Sequence, residues 1–116
     1  MKLEEGMYVR TKEGKIGKII DINLGQEEKR YILDSSSVYI YYEKDISKSS
    51  HNIIDLVQLG DYVNGYPVYE TIEYPDNTRA IVIADDYKSI IWEESSQYIK
   101  SIVTKEQMES MKYEVE

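Results

Sequence analysis

Cysteine and phenylalanine are absent from this 116-residue chain, histidine and tryptophan occur once each, and proline twice. Without cysteine there is no disulfide and no thiolate metal site, and a cytoplasmic setting is the simplest expectation. The single histidine, His51, has no second His or Cys with which to share a metal, and it lies in an apolar stretch where a structural role is expected. No metal site and no cofactor are expected. No apolar run approaches the roughly 18 residues of a membrane span, and Met1-Lys2-Leu3-Glu4-Glu5 is charged where a signal peptide would turn apolar. A membrane is therefore not an expected partner. Phosphate-cradling Walker loops, Gly-x-Ser-x-Gly and His-Glu-x-x-His are missing too, so an enzyme is not expected.

Basic residues are also in deficit. Formal charge is −8 and pI near 4.7. Each phosphate contact on a nucleic acid needs a Lys or Arg, so nucleic-acid binding is disfavoured. A basic protein partner is compatible with the same charge, as is a purely solubilising role. The missing phenylalanine is offset by 12 tyrosines. A tyrosine ring carries a hydroxyl that needs water or a partner, so half-buried rings at a binding surface are expected. The residue also simply suits strands.

What the chain does contain is a repeat. Leu3-Glu4-Glu5-Gly6-Met7-Tyr8-Val9 returns as Val57-Gln58-Leu59-Gly60-Asp61-Tyr62-Val63, an apolar residue, two spacers, then Gly-x-Tyr-Val, 54 positions later. The first half opens with a strand over 8–11, a tight turn at Lys12-Glu13-Gly14 and a second strand carrying Gly17, read as a bulge or a close backbone crossing. Strands over 30–33 and 37–42 follow. In the latter, alternation places Val38, Ile40 and Tyr42 inward and leaves Tyr39 and Tyr41 as an exposed pair. The second half has Asn64-Gly65, the strongest hairpin signal in the chain, a turn at Pro75-Asp76-Asn77, and strands over 79–84 and 89–93. Counted from Asp34 and Asp85, Tyr41 and Trp92 correspond, which suggests an exposed aromatic at one spot in each half. Thr104-Lys105-Glu106-Gln107 has the form of a capping box before a short helix through Met111.

The pattern Gly-x-x-Val-x-Thr-x-x-Gly-x-x-Gly-x-Ile over residues 6–19 resembles the opening of SH3-like barrels, including KOW-type modules. The expected fold is all-β: two tandem SH3-like small barrels over 1–50 and 57–116, packed through an apolar joint at 51–56, with a short C-terminal helix.

Only three arginines are present, Arg10, Arg30 and Arg79, against eleven lysines. An arginine retained beside aromatics in an acidic chain suits anion recognition, since its planar fork matches phosphate; a surface salt bridge is the plainer alternative. Arg10 and Arg79 with Tyr39, Tyr41 and Trp92 form the candidate ligand-binding set, rings stacking on a base and guanidinium groups holding phosphate. Asp85-Asp86 and Glu93-Glu94 read as solvated edges, because neighbours on a strand face opposite ways.

Three segments carry a wider resemblance: the opening Met-Lys-Leu-x-Glu-Gly-Met-Tyr-Val-Arg-Thr-Lys, the middle Ser49-Ser50-His51-Asn52-Ile53-Ile54-Asp55-Leu56 with Gly60-Asp61-Tyr62-Val63-Asn64-Gly65-Tyr66, and the end 99–111. They resemble small proteins encoded by phages and prophages of low-GC Gram-positive bacteria, a group that carries over no activity and no residue roles. The resemblance implies a host-takeover or counter-defence setting in the host cytoplasm. Two functions are then expected in order. The first is sequestration of a nucleotide-type immune signal, such as a cyclic ADP-ribose derivative, with a homo-oligomer compatible. The second is an acidic inhibitor that imitates nucleic acid to block a host nuclease or immune effector. A KOW-type nucleic-acid-binding module ranks last because of the charge.

Overall fold

The computed structural model describes residues 2–24, 28–34 and 36–111, without the side chains of residue 24 and residues 36–39. The chain divides into two units, Met1–Leu56 and Val57–Glu116.

In the first unit, β1 (Tyr8–Thr11) and β2 (Ile16–Leu24) form the hairpin that Gly14 closes with φ +92°. β3 (Lys29–Leu33) and β4 (Ser36–Tyr41) continue the meander. A 3₁₀ turn (Glu43–Asp45) then returns the chain to β5 (Ile46–Ser50), which pairs with the free side of β1. A second 3₁₀ turn (Ile53–Leu56) ends the unit and buries Ile54 and Leu56.

The second unit repeats this plan. β6 (Tyr62–Val63), β7 (Tyr66–Glu73), β8 (Arg79–Ile83) and β9 (Ser89–Trp92) form the meander, a 3₁₀ segment (Glu93–Tyr98) follows, and β10 (Ile102–Val103) pairs with β6. Helix α1 (Lys105–Ser110) occupies the place of the last 3₁₀ turn of the first unit. The sheet orders are β4-β3-β2-β1-β5 and β10-β6-β7-β8-β9, the same order for corresponding strands.

The repeat therefore marks a duplicated topology, but not a pair of barrels. Each sheet is open. β4 and β5 are the edges of the first and β9 and β10 those of the second, and among the described residues no ladder joins the two edges. Closure needs edge strands long and tilted enough to meet. β10 spans two residues and its ladder is spent on β6. The SH3-like barrel assignment is accordingly replaced by two open five-stranded antiparallel sheets.

A register slip falls at the same position in both sheets. β2 pairs with β1 through Lys18 and with β3 from Ile19 on, and the β2–β3 register slips between Ile19 and Asp21. β7 does the same between Val68 and Glu70. The residues left over are Ile20 and Tyr69, both exposed, as expected of a β-bulge. Gly17, expected to mark the irregularity, pairs directly with Val9.

The inner face of the first sheet gathers Leu3, Met7, Val9, Ile19, Tyr31, Leu33, Tyr41 and Ile46 into one core. In the second unit β8 is buried along its whole length, with Val63, Val68 and Ile91 also buried. The residue after Gly60 departs from the repeat. Where the first unit puts Met7 in its core, the second puts Asp61, fully buried, accepting from Gln58 N at 2.7 Å and Lys105 N at 2.9 Å. That carboxylate ties the first residue of α1 to the start of the unit. The capping box forms as the sequence indicates, with Gln107 N donating to Thr104 Oγ1 at 3.2 Å and Thr104 N to Gln107 Oε1 at 3.0 Å.

Candidate functional site

Arg10 lies on β1, between Ile16 of β2 and Lys48 of β5, and is fully buried. Its Nη1 donates to Leu56 O at 2.9 Å. Arg79 opens β8, is also buried, and donates from Nη2 to Val57 O at 2.7 Å. Leu56 and Val57 are themselves buried, and a main-chain carbonyl there needs a donor. Each arginine supplies one within its own unit. The scarcity of arginine that suggested anion recognition thus coincides with internal anchoring of the main chain, where an extended, always-charged donor reaches carbonyls that no strand partner meets.

Tyr41 is not the exposed ring expected of it. It is 6% exposed and pairs across the ladder with Tyr31, inside the core, while Ile40 faces outward at 48%. The β3–β4 register shifts by three residues between Ile32↔Ile40 and Leu33↔Ser36, and an odd shift breaks the simple alternation on which the expected faces of this strand rested. The same registers correct the correspondence between the halves. Ile32↔Ile40 matches Val82↔Ile90 and Tyr31↔Tyr41 matches Ile81↔Ile91, so Tyr41 answers to Ile91 and Trp92 to Tyr42. Tyr39 lies on β4, and its side chain is outside the described set. Arg10 and Tyr41 belong to the first unit, Arg79 and Trp92 to the second, and neither described cleft is lined by any of them.

Trp92 does lie on a surface. Cross-strand partners share a face, so the outer side of the second sheet carries the rows Ile72–Ala80–Trp92 and Glu70–Val82–Ile90. Trp92 is 43% exposed and Ile90 47%. Tyr74 stacks on the indole with centroids 5.6 Å apart and planes at 24°. Bulged Tyr69, 56% exposed, has the Lys88 ammonium 4.4 Å from its ring centre. Sequence alternation did not bring Tyr69, Tyr74 and Ile90 to notice. For Ile90 the signal is the unbroken apolar run Ile90-Ile91-Trp92, which puts apolar side chains on both faces of one strand; Tyr69 and Tyr74 have no such signal.

A cleft of about 410 Å³ in the first unit is lined by Glu28, Lys29, Tyr31, Glu43 and Lys44. Burial, with the Glu43 carboxylate nearby, pushes the Tyr31 hydroxyl above its ordinary value. Around α1 a shallow depression is lined by Lys105, Glu106, Glu109 and Ser110. His51 is exposed, 3.8 Å from a Glu4 carboxylate oxygen. Asp85 accepts from Ser89 Oγ at 2.6 Å and from the Tyr87 and Ser89 amides, and these bonds hold its carboxyl below the ordinary carboxylate range. Among the described residues, no group of three or more His, Asp or Glu side chains is placed to hold a metal, and no helix is long and apolar enough to cross a membrane.

Comparison with protein-family models, with curated proteins and with solved structures finds no match. The phage resemblance, the counter-defence setting and nucleotide binding therefore gain nothing from relatives.

Proposed function

We propose that this protein is a non-enzymatic binding module that takes a cationic protein partner on its acidic surface, covering the face with which that partner would hold nucleic acid. The carrying observation is charge. The chain is −8, and two of its fourteen basic residues, Arg10 and Arg79, are buried in bonds to main-chain carbonyls, so the surface is short of cations beyond what the count implies. The same two bonds remove the guanidinium groups on which phosphate binding was expected to rest, which favours a protein partner over a nucleotide. A chain without cysteine suits a reducing, cytoplasmic setting for such an encounter.

The test is calorimetric titration with a nona-lysine peptide, a neutral peptide of equal length and a short DNA duplex, at about 20 mM and about 300 mM salt, which changes the Debye length severalfold. Binding of the cationic peptide alone, weakened at high salt, is expected. No heat from the cationic peptide even at low salt overturns the proposal.

A further inference from the structure

Of the surfaces on this molecule, the outer face of β7–β9 joins exposed Trp92 and Ile90, flanking buried Ala80 and Val82, with the carboxylate of Glu70. We infer that this face, centred on Trp92, is an arginine-reading docking surface for a cationic segment of the partner. The inference rests on the acidic-surface reading above and gives it a location and a chemistry.

Four observations converge. Trp92 leaves a large part of its ring in solvent on β9, an edge strand, and its stacking on Tyr74 holds it in place. An indole face is the strongest aromatic acceptor of a cation. Ile90 lies on the same outer face two residues before Trp92 and offers apolar area to an alkyl stem. Exposed Glu70 sits in the row of Ile90, across Val82, so a carboxylate shares the face with the rings. The chain's own Lys88 ammonium rests 4.4 Å from the ring centre of Tyr69, the neighbour of Glu70 in sequence, so one ring of the second unit already meets a cation of the chain while Trp92 stays open to an incoming one.

The occupant follows from charge. A second copy of the chain would bring another −8 to the contact, and like charges at an interface repel. An uncharged apolar segment covering this face would take the Glu70 carboxylate out of water with no opposite charge to meet it. A cationic segment satisfies both rings and carboxylate. Arginine suits the site better than lysine because a guanidinium is flat, weakly hydrated and able to stack on a ring while its edge bonds a carboxylate.

Trp92 is the only tryptophan, so its emission reports this face directly. Nona-arginine and nona-lysine peptides carry equal charge and separate stacking from general attraction. Nona-arginine should change Trp92 emission saturably and bind several-fold tighter than nona-lysine. Trp92→Ala, followed by calorimetry, should weaken nona-arginine by about 2- to 30-fold, the span of a cation–π contact from exposed to desolvated. Glu70→Gln, on the exposed side of the sheet, should weaken it about threefold, near the worth of an exposed ion pair. Far-UV circular dichroism establishes the fold of each variant, and Ile90→Ser with Glu70→Gln serves should Trp92→Ala not fold. Equal affinity for both peptides with unchanged Trp92 emission and unweakened variants overturns the docking surface while leaving the acidic-surface reading intact. Absence of binding by either peptide overturns both. Emission that depends on protein concentration without peptide identifies a second copy as the occupant and likewise overturns the inference.

Discussion

Asp61 offers the most direct test of how the second unit is held together. Its carboxylate is fully buried and accepts two main-chain amides, Gln58 N at 2.7 Å and Lys105 N at 2.9 Å. In Asp61→Ala both donors lose a charged acceptor where water has no ready access. A hydrogen bond to a charged group contributes about 1.5–3 kcal/mol. Two of them give about 3–6 kcal/mol, offset in part because the variant no longer buries a charge. A net loss of about 3 kcal/mol is expected, which for a chain of this size is a fall in Tm of about 10 °C. Asp61→Asn is the sharper comparison. It keeps the shape, but its carbonyl oxygen can meet one amide while its own NH₂ is turned on the other, so it should cost nearly as much as alanine. Urea unfolding followed by Trp92 emission reads the unit that contains Asp61, and an unchanged m-value shows that the same transition is observed. A loss below about 1 kcal/mol for Asp61→Ala, or an Asp61→Asn variant as stable as the parent, refutes the reasoning, since either shows that the amides have other acceptors.

Gly6 and Gly60 hold φ +89° and +93°, so Gly6→Ala and Gly60→Ala should each cost about 1–2 kcal/mol in urea unfolding. An added Cβ at Gly6 meets nothing within 4 Å, so there the whole loss is backbone strain, whereas at Gly60 it would also touch Lys105. Arg10→Ala and Arg79→Ala should each lower stability by about 2 kcal/mol, the worth of a bond from a charged donor, and leave nona-arginine binding unweakened. Unchanged stability would return both residues to the surface. Ser89→Ala should raise the carboxyl pKa of Asp85 as read by NMR titration, since the hydroxyl bond is the largest cause of its depression. A group depressed in the folded state stabilises above its unfolded value and loses that contribution as pH falls through the folded one, so the variant should lose less stability on acidification than the parent.

Local features were legible wherever the signal is short-range. The Asn64-Gly65 hairpin, the turn at Pro75-Asp76-Asn77 and the Thr104 capping box lie where their residues place them, because turn and cap chemistry depends on a few neighbouring atoms. Asn77 and Asn64 adopt the positive φ that such turns require. Strands β5 and β10 escaped notice. Ile46-Ser47-Lys48-Ser49-Ser50 carries little apolar alternation, and Ile102-Val103 is too short to show any. Both become strands by pairing with β1 and β6. The two Gly-x-Tyr-Val motifs are followed by different residues, Arg10 in the first unit and Asn64 in the second. Arg10 reaches the Leu56 carbonyl, while Asn64 holds residues 98–101, donating to Tyr98 O at 2.8 Å and accepting from Lys100 N at 2.7 Å. Each ties its motif to a later stretch of its own unit.

By itself the sequence determined that the chain is two copies of one plan, rich in strands, strongly acidic and closed by a capped helix. Periodicity, turn residues and charge are properties of neighbours and sums, and need no long-range contact. Tertiary structure alone decided that the sheets stay open, that Tyr41 is core, and that the two candidate arginines point at carbonyls. All three depend on strand register and on which distant carbonyl lies within reach. A slip by an odd number of residues, invisible in composition, reverses the side chains beyond it.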